Sequence, residues 1–104
     1  MLADVYHFRR YPEVFAFLQR HPNLIPLLIE TAQVIPHYFG QVTPIALDIA
    51  TDPEAEDDQQ LVAWIQTDLE PIKAIARLTE FDTAWWLAAS HASHDQLCIH
   101  VEYR

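Results

Sequence analysis

Glycine is almost missing from this chain: Gly40 is the only one in 104 residues. Phosphate cradles, dinucleotide-binding turns and nucleophile elbows all need glycine where the backbone approaches a ligand or turns sharply, so those chemistries are excluded. Cysteine is as scarce. Cys98 stands alone, so no disulfide closes within the chain, which points to a reducing compartment. Bases are few as well: six Lys and Arg face fifteen Asp and Glu, for a formal net charge of −9. The imbalance is local. Residues 1–40 balance Asp4, Glu13 and Glu30 against Arg9, Arg10 and Arg20, so residues 41–104 carry all of the net charge. Such a surface repels the phosphate backbone of nucleic acid and favours a basic protein partner. Long apolar runs are absent too. The run from Leu24 to Ile29, as long as any, contains Pro26 and ends at Glu30, far short of the roughly 20 residues a membrane span requires. Met1 to Arg10 show no basic start followed by an apolar stretch, so no signal peptide is expected and a cytoplasmic location is.

What remains is an apolar fraction of 51%, enough for a core in a single domain over residues 1–104. Residues 1–10 fit either a helix or a short strand. Pro12 and Glu13 suit a first helical turn, and Val14, Phe15, Phe17 and Leu18 give that helix an apolar face until Pro22 stops it. Asn23 is placed to cap a second helix. In it Leu24, Leu28, Ala32, Ile35 and Phe39 form a stripe that Leu27, Ile29, Val34 and Tyr38 widen almost all round. Pro36 should kink it or end it early, and Gly40 suits a left-handed cap.

The period then changes. Ile45, Leu47 and Ile49 alternate with Ala46, Asp48 and Ala50 in a strand. Residues 52–58 read as a solvated acidic loop, and Gln60 to Thr67 as a second strand with Val62 and Trp64 on one side. The run Thr67-Asp68-Leu69-Glu70 matches a capping box, so Thr67 is expected to start a third helix. Residues 88–95 read as loop, and Leu97, Ile99, Val101 and Tyr103 alternate in a last strand. The expected fold is α+β: a three-stranded, mostly antiparallel sheet with helices packed on one face, in the order α-α-β-β-α-β. A crossover from the second strand over the first would put the first strand in the centre. If residues 2–8 form a strand, the plan becomes ferredoxin-like.

Four clusters carry possible chemistry. His91, His94 and Asp95 are residue types that hold divalent metals, but their spacing matches no established site, and a polar turn explains them equally. Residues 52–58 lack the glycine and spaced acids of a calcium loop. Cys98, His100 and Glu102 share one strand face, yet nothing beside Cys98 supplies the activation a nucleophile needs. Adjacent Trp85 and Trp86 should diverge, one into the core and the other partly exposed or covered by a partner. Trp85 and Trp86, with Leu27 and Tyr38 from the apolar helix, are therefore the candidate interface residues.

Three segments, Ile35 to Gly40, Phe81 to Leu87 and Val101 to Tyr103, with the Asp52-Pro53-Glu54 turn between them, resemble a group of small uncharacterised bacterial α+β proteins of about this length. The likeness runs from about residue 24 onward. It implies a bacterial cytoplasmic protein and supplies no catalytic residues. The expectation is a non-enzymatic interaction or regulatory domain without a cofactor, either a homo-oligomer or bound to a basic partner. The alternative is a small enzyme or metal-binding domain using His91, His94 and Asp95, or Cys98 with His100.

Overall fold

A computed structural model describes residues 5–52, 55–93 and 96–103, leaving out the side chains of residues 52 and 55–58. Strand β1 (His7–Phe8) leads into α1 (Tyr11–Arg20), α2 (Leu24–Val34) and the single turn α3 (Pro36–Phe39). Strands β2 (Ile45–Asp52) and β3 (Ala55–Thr67) follow, then α4 (Pro71–Phe81), a π-helical segment (Asp82–Trp86), α5 (Leu87–Ala89), a 3-10 turn (Ser90–Ser93) and β4 (Leu97–Tyr103). The fold is α+β, and its sheet has four strands rather than three, in the order β1-β2-β3-β4. Only the central pair β2/β3 is antiparallel; β1 runs parallel to β2, and β4 parallel to β3.

That arrangement corrects the expected topology. The strand from Leu97 lies beside the second long strand, not the first. The N-terminal segment does contribute a strand, giving the element order of a ferredoxin-like chain. Yet each parallel pair here is adjacent, whereas the split βαβ plan places a strand between them. The hairpin also starts earlier than its composition suggests. Ala55 pairs with Asp52, and Gln59 and Gln60 with Thr51 and Ala50, so most of the presumed acidic loop is strand. The register shifts between Thr51 and Asp52.

Local chemistry explains the helix limits. Pro36 ends α2 at Val34, and Tyr38 N–H restarts the ladder by donating to Ile35 C=O at 3.0 Å. Gly40 takes φ 103° with ψ 151°, a positive φ that favours glycine, though not the left-handed helical cap expected. Asn23 sits at the cap position of α2, but its side chain makes no capping bond. Helix α4 begins at Pro71, four residues after Thr67. The residue before a proline avoids helical ψ, and Glu70 has ψ 149°. Thr67 is instead the last residue of β3, and its Oγ1 accepts from Leu69 N–H at 3.1 Å. The capping box is an ordinary side-chain turn.

One face of the sheet carries Ile45, Leu47, Ile49, Leu61, Ala63, Ile65, Leu97, Ile99 and Val101. These join Val14, Phe17 and Leu18 of α1, Leu24, Leu27 and Leu28 of α2, and Leu78 and Phe81 of α4 in one core. The apolar helix α2 is thus largely enclosed by its own chain. Tyr6 adds a polar tie, its buried hydroxyl donating to Leu28 C=O at 2.7 Å. All major helices pack on this face, and no described helix lies over the opposite one.

The helix-free face of the sheet as candidate site

Alternation puts Ala46 and Asp48 of β2, Val62, Trp64 and Gln66 of β3, and Cys98, His100 and Glu102 of β4 on the helix-free face. Register aligns Ala46, Trp64 and His100 in one row, with His7 of β1 beside Ala46. The rings of Trp64 and His100 stack at 6.0 Å between centroids and 27° between planes. Trp64 is half-buried and His100 exposed.

Two ion pairs frame this row. Arg9 reaches from the end of β1 to Glu102 on β4, with Nη1 donating to Oε2 at 2.9 Å and Nη2 to Oε1. Glu102 Oε1 also accepts from Gln66 Nε2 at 3.0 Å. These bonds to Arg9 and Gln66 favour the carboxylate and pull the Glu102 pKa down to about 2. Arg10 donates through Nε to Asp48 Oδ1 at 2.9 Å, and the same oxygen accepts Ile49 N–H at 2.8 Å. Arg10 is held at φ 46°, ψ 56°, a left-handed conformation costly for a residue with a Cβ. It turns the chain from β1 into α1 within two residues. Beside this pair lies a shallow hollow of about 360 Å³, lined by Arg10, Asp48, Ala50, Thr51, Val62 and Trp64 among others.

Cys98 is half-buried on the same face. Burial raises its pKa, and the nearby Asp82 carboxylate raises it further, opposite to what a thiolate nucleophile requires. Burial likewise raises the pKa of Asp82, against a lowering by His100. Asp82 Oδ1 is buried without a hydrogen-bond partner among the described residues.

The candidates read from sequence are dispersed. Leu27 is 6% exposed and belongs to the core. Tyr38 is half-buried, its ring edge-on to Phe81 at 5.9 Å. Trp85 and Trp86 do not divide into one buried and one exposed residue. Both are half-buried against the core, with ring centroids 5.9 Å apart. The π-helical turn that carries them separates neighbouring side chains by a smaller angle than an α-helix does. His91 is exposed on the 3-10 turn, while His94 and Asp95 fall outside the described residues. Among the described residues no three His, Cys, Asp or Glu side chains group to hold a metal ion. No described helix is long and apolar enough to cross a membrane.

Composition hid the site that the fold assembles. Arg9 and Glu102 are 93 positions apart, and nothing in either segment announces the other. Alternation did place Val62 and Trp64 on one side of a strand, but not on the side without helices.

Fold and face together define a two-layer α+β domain with an open sheet. The comparisons with known proteins add no name to that class: no family model matches, and neither a curated protein nor a solved structure matches.

Proposed function

We propose that this chain is a non-enzymatic, cytoplasmic protein-interaction domain that receives a basic protein partner on the open face of its sheet. The observation that carries the reading is Trp64, a half-buried aromatic in the middle row of a face with an ion pair on either side. Aromatic anchors ringed by polar groups dominate the energy of protein interfaces. Choice of partner follows from charge. The net −9 resides in residues 41–104, which form β2, β3, α4 and β4, and a field of that sign steers cationic surfaces towards the molecule as a whole, while on the face itself Asp48 and Glu102 are paired with Arg10 and Arg9. The enzymatic alternative is less well supported, because the Cys98 thiol is pushed away from ionisation.

Titrating an arginine- and lysine-rich peptide into isotope-labelled protein tests this reading by nuclear magnetic resonance. The indole N–H of Trp64 shifts on binding, and Trp64→Ala weakens binding about tenfold or more, equivalent to about 1.4 kcal/mol. Shifts confined to the acidic hairpin end, or affinity that survives loss of the indole, would reject docking on this face.

A further inference from the structure

Two borders close the sheet, and they differ. At one, β1 pairs only through His7 and Phe8, and the exposed length of β2 beyond it lies between Asp48, its partner Arg10 and Asp52. At the other, β4 runs unbroken from Leu97 to Tyr103. The direction of its main-chain groups is fixed by one bond, Leu61 N–H to Gln96 C=O at 2.9 Å. With the observed parallel register, the even-numbered residues of β4 face β3 and Leu97, Ile99, Val101 and Tyr103 point outward. The outward N–H and C=O groups of Ile99 and Val101 have no partner among the described residues. Proteins protect such borders with lysine, proline, a bulge or a covering element. Strand β4 has no lysine and no proline, and its register shows no bulge. Its one charge, Glu102, is neutralised by Arg9.

Helix α4 extends this border into the helical layer. The helix packs against β4, and Asp82 follows directly on its last residue. Ile75 is two turns before Asp82 on the same flank, and Ile72 is one turn before Ile75. Ile72 is 86% exposed, Ile75 47%, and Tyr103 at the end of β4 48%. A strand with unsatisfied main-chain groups thus lies against a helix that exposes Ile72 and Ile75, in a molecule of net charge −9.

We propose that β4 pairs antiparallel with β4 of a second copy about a two-fold axis at His100, joining two sheets into one. This register overlaps the whole strand. Ile99 exchanges main-chain bonds with Val101 of the partner subunit, and Cys98 sits opposite Glu102 of the partner subunit, so the carboxylates of β4 do not face each other, while His100 meets its own copy on the axis. Antiparallel pairing also carries the two acidic hairpin ends to opposite ends of the joined sheet. A second copy fits this border better than a basic chain does, because β4 offers no free negative charge. The pairing uses the border and leaves both open faces clear, so it is separable from docking at Trp64.

Sedimentation of the full chain tests the proposal. The wild type is a dimer, and Trp64→Ala remains one. Val101→Pro deletes an outward N–H without touching β3, a position where an edge strand accepts proline, and weakens the dimer at least tenfold. Ile75→Lys, which alters no main-chain group, does the same while the circular dichroism is unchanged. In a Cys98→Ser/His100→Cys double variant the new thiols face each other across the axis, at a Cα separation of about 4.5 Å for a non-hydrogen-bonded pair. That lies within disulfide reach, so mild oxidation links the two copies. A wild-type chain that sediments as a monomer at about 0.5 mM, far above a micromolar dissociation constant, overturns the proposal. So does a dimer that withstands both Val101→Pro and Ile75→Lys and fails to cross-link.

Discussion

Glu102 illustrates how one side chain holds distant parts of the chain together. It receives Arg9 from the first strand and Gln66 from the third, and its pKa falls to about 2. An unfolded glutamate titrates near about 4.3. A carboxylate whose folded pKa is depressed stabilises the fold above the unfolded value, and loses that contribution as pH drops towards the folded value. The expected result is a loss of stability between roughly pH 4.3 and pH 2 that is smaller in Glu102→Gln, followed by urea unfolding at a series of pH values. The pair is partly solvated, with side chains 30% and 33% exposed, so screening limits its strength, and added salt should shrink the difference between wild type and variant. Arg10 acts beside it in another way. Its left-handed backbone turns β1 into α1, and its guanidinium is tied to Asp48.

Among the elements, α4 and the π-helical segment after it organise the C-terminal half. Phe81 closes α4, is fully buried, and touches Tyr38 at 5.9 Å and Trp85 at 5.6 Å between ring centroids. Phe81→Ala leaves a cavity where two elements meet and is expected to cost about 3–5 kcal/mol, readable by denaturant unfolding and by loss of the near-ultraviolet signal of the tryptophans. The elements most visible in the sequence were those whose side chains repeat with a clear period: α1, the break of α2 at Pro36, β2 and β4. Two others escaped for physical reasons. Strand β1 has two residues, too few for any alternation. The first half of β3 is acidic, and its pairing with β2, Ala55 with Asp52 and Gln59 with Thr51 across a shift in register, is not encoded in composition. Helix α4 was placed too early because Thr67 offered the pattern of a cap while Pro71 governed the geometry. As for the open face, its residues were visible one by one, but the helices covering the other side, and so the face left bare, emerge only from the packing.

For the whole molecule, charge matters more than any pair. Fifteen acids against six bases repel one another in the compact state. Salt screens that repulsion over a Debye length that falls from about 30 Å at 0.01 M to about 10 Å at 0.1 M. The midpoint of thermal unfolding should therefore rise between about 0.01 M and 0.1 M sodium chloride, as measured by scanning calorimetry. A fall would mean that the Arg9–Glu102 and Arg10–Asp48 ties outweigh the repulsion. The sheet itself has a symmetry of construction. Its only antiparallel pair, β2 with β3, is also its most local one, and each parallel neighbour arrives through intervening helices. Closing a short loop costs less chain entropy than closing a long one, which makes the hairpin the natural first structure during folding. Two flanks then anneal to a ribbon that is already standing, and damage to one flank leaves the ribbon available to the other.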